Sequence, residues 1–519
     1  MKKMMTAVAL LGLSLPVMAQ ALEFQTPGAL GMGRAGVART TDAYATFINP
    51  AGLAFYDKPF SMRLGAGAGV AISSSLAENL DKVGKLDLSN SNMNYTTATD
   101  ATNATTKAVQ FAGIVDDLAQ RKGDLAVNVD LALAFQYRNY GLGIFGMTEL
   151  GAGIGHVDKD NLRMGNATSG VTAADNVNTL AINMFGYTNV SQITLGNTAR
   201  PTTTIFSAEQ YQSIWKAFQN AGGGVANVTD TTAQALASKL EAQLASTGAN
   251  GNTTNLTPDQ LVSAIKLTAD LISPTKGSID SNTTTVKLMG LALVEVPIGY
   301  GHKFDLGRFG KLGIGGAAKV MQGSVYYQEQ EINKLKDSKD ATTKAKDQHA
   351  ESTQFGIDLG ALWRYEDFKA IGPINVGLAL KNLNSPKFDG PRDPKTQAQA
   401  DKVTIEPQGR LGLALEPFSW LSLAADFDVT KNKTVIEGRD SQNIGGGLEA
   451  HVSWAALRLG AFKNMAETDG KPVLTGGLSL GPQWLRLDID AAVATATGTY
   501  DNKSYPREAK VEFGLSTMF

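Results

Sequence analysis

Apolar and polar residues alternate along much of this chain with the two-residue period of β-strands. From Phe60, the residues Met62, Leu64, Ala66, Ala68, Val70 and Ile72 share one face, and Ser61, Arg63, Gly65, Gly67 and Gly69 share the other. From Leu125, the residues Val127, Val129, Leu131, Leu133, Phe135 and Tyr137 form an apolar face opposite Asn128, Asp130, Gln136 and Arg138. Similar runs cover 140–154, 284–298, 311–327, 353–365, 373–381, 404–416, 420–430, 442–453, 455–463, 472–481, 484–494 and 507–519. The pattern predicts about 14 strands and an all-β fold.

The last run selects the kind of sheet. Ala509, Val511, Phe513, Leu515 and Phe519 fall on one parity, interrupted by Thr517, and Lys510, Glu512, Gly514 and Ser516 fall on the other. An amphipathic strand that runs to a terminal Phe is how bacterial outer-membrane barrels close, so Phe519 is read as the barrel-closing residue. The gaps between runs alternate long and short, with long ones at 74–123, 155–283, 328–352, 382–403, 431–441, 464–471 and 495–506. A transmembrane barrel has short periplasmic turns and longer external loops, whereas a soluble sandwich has no reason to sort its loops this way. Trp363, Trp420, Trp454 and Trp484, with Tyr137, Tyr140, Tyr365, Phe418 and Phe519, fall at the short turns. Amphipathic rings collect at a membrane–water boundary, so these residues read as the inner aromatic girdle. The expected fold is a transmembrane antiparallel up-and-down β-barrel of residues 60–519, with its closing strand beside the one that starts at Phe60.

The segment 155–283 is too long for a structureless loop and is read as a helical extracellular insertion. Ser207 and Gln210 form a capping box, followed by Tyr211, Ile214, Trp215 and Phe218 at helical spacing. Asp230 opens a second helix carrying Leu236, Leu240 and Leu244. Thr257, Pro258 and Gln260 open a third, with Leu261, Ile265 and Ile272 on one face, and a shorter helix with Phe111, Val115 and Leu118 lies in the first long loop. An apolar stripe needs a partner. Two readings stay open: the stripes bury one another, or Tyr211, Ile214, Trp215, Phe218, Leu261 and Ile265 line a groove for a hydrophobic ligand.

The N-terminus carries Lys2 and Lys3, an apolar stretch from Ala7 to Pro16, and small residues around Ala19-Gln20-Ala21, the pattern of a cleaved secretory signal over 1–21. After it no run of about 18 apolar residues occurs, so no transmembrane helix is expected. The absence of Cys excludes a disulfide framework, a thiol nucleophile and a thiolate metal site. The formal charge of -2 gives no electrostatic reason for nucleic acid as a partner.

Between the leader and the first strand, 22–59 is rich in Gly and Ala, and Asn49-Pro50 followed by Gly52 is a turn. A barrel of about 14 strands is too wide for its side chains to fill, so it is plugged or conducts water. The segment is read as an N-terminal plug, with a flexible linker as the alternative. Its residues Gly31-Met32-Gly33-Arg34-Ala35-Gly36-Val37-Ala38, and Phe47-Ile48-Asn49-Pro50-Ala51-Gly52-Leu53-Ala54, resemble the hatch of the FadL/TodX family of outer-membrane channels for fatty acids and aromatic hydrocarbons. That resemblance implies a plug motif at Asn49, Pro50, Ala51 and Gly52, and external helices forming a hydrophobic groove. A second resemblance covers Phe355–Ala361, Val376–Leu378, Lys381–Phe388, Arg410–Ala414 and Trp420–Asp428. These stretches are similar to a barrel family filed as conjugal transfer protein TraF, which implies a link to plasmid transfer.

Charge facing lipid costs about 2–4 kcal/mol at the membrane midplane, so the polar strand faces are read as lumenal. That places Asp130, Asp358, Arg364, Asp426, Asp428, Glu449, Arg486, Asp488, Asp490, Lys510 and Glu512 inside. Asp426 with Asp428, and Asp488 with Asp490, could be metal ligands or a catalytic carboxylate pair. The favoured reading is a solvated network touching the plug, with Arg486 and water satisfying the acids. His156, His302, His349 and His451 are scattered and follow no nucleophile motif, so no enzyme, metal site or cofactor is expected. The expected function is passive uptake of small hydrophobic compounds across the outer membrane. The alternative is a structural or assembly component of the envelope tied to conjugal transfer. Expected partners are outer-membrane lipid, a hydrophobic ligand, the barrel assembly machinery and envelope proteins, with no nucleic acid.

Overall fold

The computed structural model describes residues 29–72, 124–158, 205–221, 283–331, 349–366, 372–392, 399–434, 440–467, 470–482, 484–500 and 503–519, with positions 76, 79, 117, 161, 233–235, 237–238, 241–242 and 368. The signal segment 1–21 and the third predicted helix, with Leu261 and Ile265, lie outside the described residues.

Fourteen of the described strands close one antiparallel barrel. They are β1 (Phe60–Ile72), β2 (Asp124–Tyr137), β3 (Tyr140–Ile154), β4 (Thr285–Asp305), β5 (Lys311–Glu331), β6 (His349–Tyr365) and β7 (Ile374–Lys381), then β8 (Gln408–Phe418), β9 (Leu421–Asp428), β10 (Asn443–Val452), β11 (Ala455–Asn464), β12 (Val473–Leu480), β13 (Arg486–Ala494) and β14 (Glu508–Met518). Each pairs with its neighbours in chain order. β14 returns to β1 in a register running from Ser61 opposite Met518 to Ala71 opposite Glu508. Phe60 and Phe519 exchange backbone hydrogen bonds of 3.2 and 3.1 Å, and their rings stack 6.4 Å apart. Closure leaves no free sheet edge in a solvent that cannot hydrogen-bond to it.

The alternation read from the sequence becomes the two sides of this wall. Leu131, Ile144, Ile298, Ile314, Phe355, Leu457 and Phe513 point outward and are exposed, while Ala132, Phe145, Lys319, Asp358, Arg458 and Glu512 are buried inward. On β5 the outward apolar run Leu312 to Val320 gives way to Gln322 and Ser324. On β6 Thr353 precedes outward Phe355 in the same way. Eight to eleven residues per strand in β7–β14 suit a tilted membrane crossing of about 9–11. β4 and β5 have 21 residues each, so the wall over β4–β6 stands taller than the apolar band. Among the described residues no helix is long and apolar enough to cross a membrane.

One rim carries the tight turns and the rings. Trp420, Trp454 and Trp484 are exposed there, Phe418 stacks on Trp420 at 5.6 Å, and the Trp363 indole N–H donates to the Phe309 carbonyl at 2.8 Å. Many strand limits differ from the sequence reading by one or two residues, and β5 runs on to Glu331 instead of 327 and β6 starts at His349 instead of 353; two further differences change what the rim and the lumen contain. β4 runs to Asp305 instead of stopping at 298, because His302, Lys303 and Asp305 break the alternation without breaking the ladder. Tyr300, Phe304 and Phe309 therefore join the rim. The eighth strand begins at Gln408 and not at 404; Thr404 belongs to a separate hairpin in which Lys387–Phe388 pair with Val403–Thr404.

Residues 29–59 enter the barrel. Their helical pieces are a 3-10 turn at Leu30–Met32, α1 (Ala45–Ile48) and a 3-10 helix at Pro50–Phe55, and all of these residues are buried. In the insertion, α2 (Ala208–Ala221) has both arms of its capping box: the Gln210 N–H donates to Ser207 Oγ at 3.1 Å, and the Ser207 N–H donates to Gln210 Oε1 at 2.9 Å.

Candidate functional site: a two-sided lumen

The interior is divided lengthwise. Along β9–β14 and β1 most inward positions are polar or glycine and carry most of the lumen's charge, and along β2–β5 most are apolar or small. The inner segment lies between them and is itself two-sided. Arg34, Arg39 and Asp42 face the charged half, while Val37, Tyr44, Phe47 and Ile48 pack with the apolar half.

On the charged half, Arg458 of β11 is the hub. Its guanidinium donates to Glu449 at 2.6 Å, Asp490 at 3.1 Å, Asp488 at 3.0 Å and Ser479 at 2.5 Å. Arg39 of the inner segment reaches Glu449 at 3.0 Å, and Arg63 of β1 joins Asp42 at 3.2 Å to Asp488 at 3.7 Å. Lys510 pairs with Asp130 at 2.9 Å and Glu512 at 3.0 Å. Asp488 and Asp490 thus take their cation from Arg458 and not from Arg486, which the sequence suggested. Side chains two residues apart on one strand compete less well than a fork reaching across from β11. Arg458 was legible as an inward position by its parity, opposite to Leu457 and Leu459; its partners were not. A cavity of about 50 Å³ among Arg34, Asn128, Glu149, Asn443 and Lys510 leaves room for only a few waters.

Asp426 of β9 holds the inner segment by its backbone. One carboxylate oxygen accepts the amides of Gly36 at 2.8 Å and Val37 at 3.0 Å. Asp428 is occupied by Arg410 at 2.5 Å and the Asn443 amide at 2.7 Å. The two acids are therefore engaged separately, one with the inner segment and one with Arg410, and among the described residues no group of three or more His, Asp and Glu is placed to hold a metal ion.

The Asn49-Pro50-Ala51-Gly52 turn lies against β4–β6. Asn49 Oδ1 accepts the Ala51 amide at 3.2 Å, and its Nδ2 donates to the carbonyls of Val37 at 2.9 Å and Ala361 at 3.2 Å. This one side chain caps the 3-10 helix, braces the inner segment and ties it to the wall. Close approach here needs Gly315, since a Cβ there would overlap the Pro50–Ala51 peptide. Asp358 accepts the Asn382 amide at 2.8 Å and shares Lys319 with Glu295, at 3.0 and 3.1 Å. Arg364 sits at the turn rim, 3.4 Å from Glu366, whose carboxyl is held below its ordinary pKa by the hydrogen bond from Lys311.

The apolar half is an interior wall interrupted on β4 and β5 by the Glu295–Lys319 pair. Ala132, Ala134, Phe145, Met147, Leu291, Leu293, Met321 and Val325 are all buried in one cluster with Val37, Tyr44, Phe47 and Ile48 of the inner segment. Phe47 stacks on Phe145 at 4.4 Å. At the outer end the cluster is covered by Phe388 and Ile405, from the hairpin that turns inward after β7.

Of the helical stripe, Tyr211 gives its hydroxyl to the Gln234 carbonyl at 2.9 Å and lies 2.6 Å from Ser238 Oγ, and Ile214 is buried. Tyr211 is thus tied to the described helical positions 234 and 238, and Glu241 accepts the amides of Ile205 and Phe206. Trp215 is half-buried with Lys216 over its ring. Phe218 lies in α2, and its side chain lies outside the described residues.

A closed barrel with an apolar outer belt, an aromatic rim and its own N-terminal residues in the lumen is a transmembrane β-barrel of the outer-membrane type. The chain belongs to the family described as F plasmid transfer operon, TraF, protein, whose pattern it matches over residues 46–428. Among solved structures it is similar to the Ralstonia pickettii toluene transporter TbuX (10% identity, TM-score 0.41, 98% of this chain and 100% of that one). It is also similar to the P. putida toluene transporter TodX (10%, 0.43, 95% and 98%) and to a Pseudomonas aeruginosa FadL homologue (10%, 0.39, 97% and 99%). No curated protein matches the chain.

Proposed function

We propose that the protein is an outer-membrane channel for passive uptake of small hydrophobic compounds, exported by the signal over 1–21 and folded with the help of the barrel assembly machinery. The observation that carries this reading is the apolar interior wall of β2–β5. Barrel interiors are ordinarily polar, and a stripe of Phe145, Met147, Leu291, Leu293, Met321 and Val325 inside one has no use to a water-filled pore. It offers a hydrocarbon burial at about 25 cal/mol per Å². In this reading residues 29–59 are the plug. Passage follows when the plug shifts along the apolar side, where it is held by packing and the Asn49 contacts, while the ion pairs on the other side keep it in the barrel.

The test is uptake of labelled toluene and of a medium-chain fatty acid by cells with and without the protein, since lipopolysaccharide slows their unaided passage. Saturable, protein-dependent uptake of either supports the reading, and its absence for both sinks it. A second reading, an envelope component tied to plasmid transfer, takes its support from the family's description alone. That reading predicts lower mating efficiency on deletion, together with no uptake.

A further inference from the structure

The hairpin between β7 and β8 is the feature the barrel itself does not require. After Lys381 the chain turns through left-handed Asn382 and Ser385, crosses the top of β6, and places Phe388 and Ile405 inside the lumen, both with no exposed surface. A loop between barrel strands at the outer end has water available on every side, yet this one buries a phenyl ring in the wall of the channel. The seat is shaped for it: Gly323 of β5 lies directly beneath the ring, and a Cβ there would overlap Phe388. Met147, Leu291, Leu293, Met321 and Val325 belong to the same buried cluster. At its base the hairpin is held to β6: the Leu383 amide donates to the Ile357 carbonyl at 3.0 Å, and Asn384 donates to the Phe355 carbonyl at 2.6 Å and accepts the Ile357 amide at 3.1 Å. Beyond Ser385 its attachment among the described residues is slighter: two paired residues on each side, one bridge between Arg392 and Gln399, an exposed Lys402–Asp389 pair, and a hydrogen bond to the wall from the Asp389 amide to Ser352 Oγ at 3.1 Å.

The structure assigns the apolar space over Gly323 that Phe388 fills as a ligand seat for a compact apolar ring, and Phe388 as the stopper that occupies it until such a ligand takes its place. This rests on the hydrophobic-uptake reading and adds the site, the size of the ligand and the residue that competes with it. A ring the size of a phenyl group matches the space Phe388 vacates, whereas a long linear chain fills it poorly. The hairpin then swings outward as a unit, because its inner residues, Phe388 and Ile405, are the ones the ligand replaces.

The chain has no cysteine, so a single engineered pair reports on the hairpin. With Ser352→Cys and Asp389→Cys in the full-length protein in detergent, the rate of disulfide formation under a mild oxidant is measured with toluene, with decane, and with neither. Toluene is expected to slow closure at least fivefold and decane less than twofold. In cells, the oxidised pair is expected to lose toluene uptake and regain it on reduction, and Phe388→Ala to raise the initial rate. A closure rate indifferent to both probes, with equal uptake by locked and reduced protein, overturns the stopper and leaves the channel standing. Slowed closure in a protein that admits no probe, wild type or Phe388→Ala, supports the seat and overturns the channel. Native heat-modifiable migration on gels shows that each variant has folded.

Discussion

The carboxylate of Asp426 accepts the Gly36 amide at 2.8 Å inside the barrel, and the same oxygen takes the next amide, that of Val37, at 3.0 Å. A wall residue thereby recognises the backbone of the inner segment, so the contact depends little on which side chains that segment carries. It is also charge-assisted, which makes each bond worth about 1.5–3 kcal/mol.

Asp426→Ala removes the acceptor and leaves two buried amides without a partner. We expect the inner segment to loosen and the conducting fraction in planar bilayers to rise at least tenfold, since about 1.4 kcal/mol is tenfold in an equilibrium. Deleting 23–54 is expected to give the fully open conductance. If both proteins conduct like the wild type, the segment does not block the lumen.

Arg458→Ala leaves Glu449, Asp488 and Asp490 buried together without their shared cation. Breaking such a network by removing one partner costs about 3–5 kcal/mol. Urea-unfolding midpoints in lipid vesicles should fall accordingly. Arg458→Lys should recover only part of the loss, because an ammonium cannot spread over acceptors from three strands. An unchanged midpoint for the alanine variant would show that the network contributes nothing net.

Asn49→Ala removes one cap and two braces at once. A cost of about 1–3 kcal/mol is expected from the unsatisfied carbonyls and amide. The segment around 49–55 should become accessible to added protease while the barrel stays folded. Protection equal to wild type would mean that the turn is held by packing alone.

The height of the membrane band can be checked by placing a charge at two outward positions. Leu131→Arg, midway along β2, should cost about 2–4 kcal/mol in folding into bilayers, and Gln322→Arg, above the apolar run of β5, about 0–1. Equal costs would refute the boundary drawn between Val320 and Gln322.

How far the sequence reached follows from what each signal reports. Alternation is a local property of one strand, so inside and outside were legible for Leu131, Asp130, Phe513 and Glu512. The closing pair of Phe60 and Phe519 followed from an up-and-down order with no crossovers. The capping box at Ser207 and Gln210 was legible because it spans a single turn of helix. Partnerships across the lumen were not. Arg458 meets Asp488 and Asp490 because β11 and β13 flank β12 at a particular stagger, and stagger is a property of the closed sheet. The hairpin holding Phe388 was hidden because Val403 and Thr404 continue the alternation of the next strand, although they pair elsewhere.

The sequence by itself determined that this chain makes a barrel, which residues face each side of it, and which rim carries the aromatic rings. These are consequences of a two-residue period and of the cost of charge in hydrocarbon, and neither needs a neighbour to be known. Only the tertiary structure decided that the lumen has one charged half and one apolar half, that the inner segment is wedged between them, and that Phe388 stands in the apolar half. Those facts depend on which strands curve to face one another, and curvature belongs to the closed sheet and to no single strand.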